Sequence, residues 1–245
     1  VGFVLLTQSG AKLEAYDMKD GTPFVWNNQS NPYDNRDPRM KYTIVCNEMK
    51  WPVDPVEIWE GGTNGLPLQN ATTTGYYLKK YVNNTISFEA GSTVTKKQHN
   101  WVLFRYGEIL LNYAEAMINA FHDPNYKDAV YNMSAREAVN QIRGRTNISL
   151  PGFPSDITEK DFVKRLKNER RVELAFEGHR FWDVRRWKEL GQTANIYGVK
   201  ITKNNEVISY EKFLLETRAV TDNMYFYPIP NTERFKNPNL GQNPG

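Results

Sequence analysis

One stretch of 19 residues, Glu169–Trp187, constrains this chain more than any other. It reads ERRVELAFEGHRFWDVRRW and holds five arginines, three glutamates, one aspartate, one histidine and four aromatic rings. So much charge beside so many rings fits a fold only if each buried ion finds a partner, because breaking a buried pair is strongly destabilising. On a helix over 159–177, Glu169, Glu173 and Glu177 recur every fourth residue and share a face. Stacked carboxylates can raise one another's pKa and make a general acid. Here Arg165, Arg170, Arg171 and, past Gly178, Arg180 surround them. The pattern therefore favours scaffold: a salt-bridged seam between two helices, with Phe176, Phe181, Trp182 and Trp187 beneath it. Arginine suits such a seam better than lysine, since guanidinium pairs carboxylate through two bonds. The basic run Arg180, Arg185, Arg186 and Lys188 is interrupted by Glu177, Asp183 and Glu189, which weakens a phosphate-binding reading.

The flanking sequence falls into three parts. Residues 1–100 are dense in turn signals such as DMKDG (17–21), NNQSNPYDNRDPR (27–39) and EGGTNGLP (60–67), with β-prone runs at Lys41–Cys46 and Thr74–Tyr81. They read as a loop-rich, ligand-side segment. Residues 101–191 carry helical hairpins. Trp101–Phe121 repeats apolar residues at helical spacing behind Asn100 as N-cap, and Ser134–Arg145 opens on an S-x-x-E capping box. Thr158 starts a helix reaching about Glu177, Gly178 is placed for a left-handed cap, and 179–190 is a short helix. Residues 192–245 lack helical periodicity, contain several prolines, and read as an irregular wrap. The fold class expected is mainly α, with long loops and a few short strands.

Composition narrows function. With 31 basic and 28 acidic residues there is no charge excess for a dedicated nucleic-acid binder. Cys46 is alone, so no intrachain disulfide or cysteine zinc site forms, and His99, His122 and His179 lack metal-ligand spacing. No cofactor, metal or catalytic constellation is expected. The first residues hold an apolar run too short for a membrane span, with no initiator Met, so the chain is expected to begin inside a longer protein.

Five phrases in order resemble the SusD/RagB family of outer-membrane nutrient-binding lipoproteins of Bacteroidetes. They are NPYDNRDPRM (31–40), TGYYLKKY (74–81), RYGEILLNYAEA (105–116), the opening stretch (169–187) and YPIPNTERFKNPNLGQNPG (227–245). TQSGAKLEAYDMKDG (7–21) resembles the segment before them. The resemblance implies a SusD-like fold of tetratricopeptide-like hairpins, in proteins about twice this length whose C-terminal half these motifs occupy. It also implies a cell-surface protein, lipid-anchored through its missing N-terminal part, that caps a SusC-like TonB-dependent transporter. Such a protein captures oligosaccharides or polysaccharides, in some branches peptides, and does no chemistry.

Sugar capture calls for exposed rings against the apolar face of a pyranose. Trp101, Trp182 and Trp187 lie on helical segments and are expected in the core. Trp26 and Trp59 lie in loops and are the expected platforms, with Trp51 and Tyr33 behind them; the same rings can equally pack the loops onto the helices. Asp37 and Arg39 of DPR (37–39) read as a turn cap and a buried ion pair. Arg39, Glu169, Arg170, Glu173, Glu177 and Arg180 are the structural set. Two other readings remain open: a carboxylate glycosidase, and a helical scaffold that binds only protein.

Overall fold

The structure is a computed structural model that describes residues 13–28, 31–83 and 97–243. Residues 1–12, with the short apolar run, lie outside the described residues.

Helices form one layer. α1 is short, Arg39–Thr43; α2 spans Tyr106–Phe121, α3 Ala135–Arg143, α4 Glu159–Glu173 and α5 His179–Arg186. Ser134 and Glu137 close the capping box at the start of α3, each side chain bonding the other's backbone N–H, which satisfies two otherwise orphaned donors. Leu111 and Ala114 of α2, Ala138, Val139 and Ile142 of α3, and Phe162 and Leu166 of α4 are buried together. Each large apolar side chain so buried contributes about 1.5–3 kcal/mol.

α2 begins later than Trp101. Residue 105 is extended (φ −147°, ψ 157°) because its guanidinium is held elsewhere: Nη1 donates to Glu173 Oε1 and Nε to Glu177 Oε2, both at 2.7 Å. Those ion pairs outweigh one more helical turn. Trp101 is consequently off the helix and 69% exposed, against the expectation of a core residue. α4 likewise stops at Glu173, short of Glu177. Phe176 and Gly178 take left-handed backbone (φ +65° and +85°), turning the chain so that the Phe176 ring enters the second core.

That second core lies under the loops. It gathers Tyr16, Tyr33, Met40, Ile44, Val45, Val56, Ile58 and Tyr76 with Val172, Ala175 and Phe176 from the end of α4 and the turn after it. α4 is thus a wall shared by both cores. The β-prone runs yield only a two-residue ladder, β1 (Ile44–Val45) against β2 (Tyr77–Leu78), since Lys41–Thr43 continue α1.

Residues 192–245 are not the expected irregular wrap. β3 (Asn195–Asn204) and β4 (Val207–Thr217) form a long antiparallel hairpin with an irregularity between Ile196 and Tyr197. Val199, Ile201 and Tyr210 are buried in the loop-side core while Lys200 and Glu211 face out. This is the period-two pattern of a half-buried sheet. The hairpin docks on the loops through the Val199 N–H, which donates to Thr74 O at 2.9 Å. Gly75 (φ +82°) makes that approach possible, as a Cβ there would stand 2.2 Å from Val199 O. The tail also holds a helix, α6 (Asn231–Lys236), which starts directly after Pro230. Proline just ahead of a first turn is tolerated, so those prolines mark a helix start as well as a wrap.

Candidate functional site

The charged stretch turns out to be joined to distant parts of the chain. Asp37 Oδ1 accepts the Arg39 backbone N–H at 2.9 Å, and its Oδ2 accepts from Arg39 Nη2 at 2.7 Å. The Arg39 guanidinium then reaches α4: Nη2 to Glu169 Oε2 at 3.2 Å and Nη1 to Glu173 Oε2 at 3.0 Å. Arg143 of α3 meets Glu169 Oε2 at 2.7 Å, and Arg145 meets Glu173 Oε2 at 2.8 Å. Lys80 pairs with Glu177 at 2.6 Å. The partners of the three glutamates are therefore Arg39, Arg105, Arg143, Arg145 and Lys80, not the nearby arginines. Arg170 does join α4 to α5, through Asp183 at 2.8 Å. Arg180 stands apart: Nη2 donates to Gln192 at 2.9 Å and Nε has no hydrogen-bond partner among the described residues.

Electrostatics follow from this wiring. Burial would raise the Glu173 carboxyl, but Arg39, Arg105 and Arg145 outweigh it and bring it down to about 2. Glu169 is lowered in the same way, against burial, by Arg39 and Arg143. Glu177 is lowered, against burial, by Arg105 and Lys80. All three are held ionised, the opposite of what a general acid needs.

The four expected sugar-facing rings sit on the loop-side core at different depths. Tyr33 is only 7% exposed and meets Tyr210 edge-on at 5.5 Å. It is a core ring, not a platform, because the unforeseen β3–β4 hairpin covers it. Trp26, Trp51 and Trp59 are half-buried, packed against that core from its rim. Trp26 lies edge-on to Phe24, and its indole N–H donates to Asn28. Lys79 stands 4.6 Å over the Trp51 ring and Lys203 4.3 Å over Trp59, cation–π contacts that no local pattern foretells. The Trp59 loop is fixed to β3 by the Glu60 N–H donating to Ile201 O at 3.0 Å.

Further rings lie open elsewhere. Trp101 stacks on Tyr81 at 6.1 Å with planes 23° apart. On α5 the buried residues are Arg180, Asp183 and Val184, so Trp182 points outward, 57% exposed, and corrects the expectation of a core residue. Its ring lies 5.6 Å from Tyr227 of the tail. Trp187 is half-buried, its indole N–H donating to Glu115 at 2.7 Å.

A helical layer with two cores, a loop face carrying half-buried tryptophans and a charged internal seam define a mainly α protein with long ordered loops. Comparison with known proteins gives its family. The sequence matches the SusD family over residues 2–245, and the chain belongs to that family. It is similar to SusD-like protein P2 of Formosa agariphila, 30% identical over 162 residues, which are 64% of this chain and 28% of that protein. Its fold resembles a SusD-like protein of Bacteroides fragilis, with TM-score 0.77 and 27% identity over 95% of this chain and 46% of the other. A SusD-like carbohydrate-binding protein of the same species gives TM-score 0.67 and 26% identity over 94% and 47%. The chain thus spans less than half the length of each of these relatives.

Proposed function

We propose that this chain binds oligosaccharides or polysaccharides without chemistry, at the outer face of the outer membrane, for delivery to a SusC-like TonB-dependent transporter. A lipid anchor on a preceding part of the protein would hold it at the membrane. The observation that carries the reading is the set of three tryptophans, Trp26, Trp51 and Trp59, seated half in and half out of the loop-side core. A ring so held loses little freedom on stacking against a sugar, yet keeps surface to offer. The carbohydrate-binding relative in Bacteroides fragilis supports the ligand class. The absence of chemistry is supported by Glu169, Glu173 and Glu177, whose oxygens are engaged by arginine and lysine.

If each stacked ring contributes about 1 kcal/mol beyond burial, two or three rings supply about 2–3 kcal/mol of the roughly 4 kcal/mol that a near-millimolar complex needs, so capture is weak. Weak binding suits a protein that must release what it catches. Calorimetric titration of a glycan panel tests the reading. One glycan should bind saturably, and Trp26→Ala or Trp59→Ala should weaken it about fivefold each with the circular dichroism spectrum unchanged. Silence to glycans with saturable binding of a peptide would move the chain to a peptide-capturing role. Unchanged glycan affinity in all three tryptophan variants would remove the site from these loops.

A further inference from the structure

A second cleft, of about 460 Å³, contains none of the loop tryptophans in its lining. That volume falls within the range of small-ligand sites. Its wall is a stripe along α4: Lys160, Lys164, Lys167 and Arg171, spaced i, i+4, i+7 and i+11 and so on one side of the helix. Arg165 of α4, Arg180 of α5 and Gln192 also line it. Three carboxylates also line the cleft, and each already has a cation. Glu189 pairs with Lys167 and Glu14 with Lys212, both at 2.5 Å, while Asp17 lies 3.4 Å from Arg143.

Arg180 is the feature that asks for a ligand. It is 5% exposed, and among the described residues its one hydrogen bond is to a neutral amide while Nε has none. Asp183 and Glu189 act on it only through space, and burial lowers its pKa against them. Burial and the neighbouring Arg180 charge bring Arg171 down to about 9, still a cation at neutral pH. Two cations side by side in a low-dielectric wall repel one another, and an orphaned buried donor costs its full desolvation. Arg36 shows how this chain otherwise treats a buried arginine without a carboxylate: its guanidinium donates to the carbonyls of Leu13, Tyr16 and Pro32. Arg180 has no such cage.

We infer that this cleft binds the anionic oxygen group of an acidic saccharide, a carboxylate or a sulfate ester, with Arg180 as the buried anchor and Lys160 and Lys164 at the rim. The anion would accept from the Arg180 guanidinium, offset the Arg171–Arg180 repulsion and draw on the exposed lysines for long-range attraction. That the anion rides on a sugar rests on the glycan-binding reading; the anion site rests on the cleft alone.

The test is calorimetric titration of the whole chain with oligogalacturonate, its neutral methyl ester, a sulfated oligosaccharide, its desulfated counterpart, and inorganic sulfate. A charged saccharide should bind at least about tenfold more tightly than its neutral partner, the loss of one charge-assisted hydrogen bond. The gap should narrow as salt rises. Which charged arm shows the gap identifies carboxylate or sulfate ester. Arg180→Gln should abolish the gap, and Lys160→Gln with Lys164→Gln, both exposed, should halve it or more without threatening the fold. Equal affinity for charged and neutral sugars would overturn the inference and leave glycan binding standing, as would a gap that survives the lysine variants. Lysine-dependent binding of sulfate with silence to every saccharide would overturn the sugar assignment and the glycan reading together, while keeping the anion site.

Discussion

α4 carries two stripes of the same spacing, offset by two residues and so about 200° apart around the helix. One is Phe162, Leu166, Glu169 and Glu173; the other is Lys160, Lys164, Lys167 and Arg171. On the first, each buried carboxylate meets at least two guanidinium groups, Glu169 those of Arg39 and Arg143, and Glu173 those of Arg39, Arg105 and Arg145. On the second, the stripe abuts Arg180, a buried cation whose Nε has no partner and which has no carboxylate at hydrogen-bond distance among the described residues; Arg143 of the first set also leaves its Nη2 unpartnered, but its other nitrogens meet Glu169 and Pro151 O. The same spacing on one helix thus makes opposite things. A closed set of charges is a joint between elements, whereas an open set is a place for something else to bind.

The closed set should break hardest. Glu169→Ala leaves Arg39 and Arg143 buried with their shared carboxylate gone, a loss expected to cost about 3–5 kcal/mol. Urea unfolding of the variant measures it. A loss under about 1 kcal/mol would show that both arginines find other acceptors and that the set is not closed. Acid should open the same joint next. The Glu173 carboxyl falls from its ordinary 4.5 to about 2 in the folded chain, and its side chain is 3% exposed. A folded-state value below the unfolded one means stability that is fully present above about pH 4.5 and is lost as pH falls toward 2. At about 1.4 kcal/mol per unit, the loss is on the order of 3 kcal/mol. Denaturant unfolding at pH 6, 4 and 2.5 should show it, and Glu173→Gln should flatten that part of the profile. An unchanged slope in the variant would place the acid sensitivity in other carboxylates.

Local rules were legible and long-range ones were not. The Ser134 capping box and the apolar faces of α2 and α3 follow from neighbours a few residues apart; Gly178 is left-handed as expected, but it caps the start of α5 and not the end of α4. The shared face of Glu169, Glu173 and Glu177 is equally local. Their partners are not: Arg143 lies 26 residues from Glu169 and Arg39 lies 130 away, distances at which charge pattern says nothing about pairing. The start of α2 lies later than its apolar repeat implies for the same reason, since Arg105 is committed to Glu173 and Glu177 across the fold. The β3–β4 hairpin has a readable signal, Val199 and Ile201 alternating with Lys200 and Thr202 before Asn204, and Ile208 and Tyr210 alternating with Ser209 and Glu211 after it, but the prolines further on point to irregular chain. The depth of Tyr33 depends on the same hairpin, because the strand pair supplies its cover. For the loop tryptophans, turn-rich sequence marks the rings as loop residues but carries no depth. Their half-burial depends on a core assembled from residues 13 to 210.

The smallest effect is expected at the open set, and it separates the two faces most sharply. Arg180→Met keeps much of the length of the side chain and removes its charge. Lost are the bond to Gln192 and the through-space attraction of Asp183 and Glu189. Gained are the desolvation of a guanidinium whose Nε lacked a partner and relief of the repulsion on Arg171. Breaking a satisfied pair exposes an uncompensated ion, but here the ion is uncompensated from the start, and apolar replacement of buried charge is often neutral. The unfolding free energy should therefore move by no more than about 1 kcal/mol in either direction, while anion affinity at the cleft disappears. A loss of about 3 kcal/mol or more, matching Glu169→Ala, would mean that Arg180 is counterbalanced in the folded chain after all. Both faces of α4 would then be joints, and the cleft would have no cation to spare for a ligand.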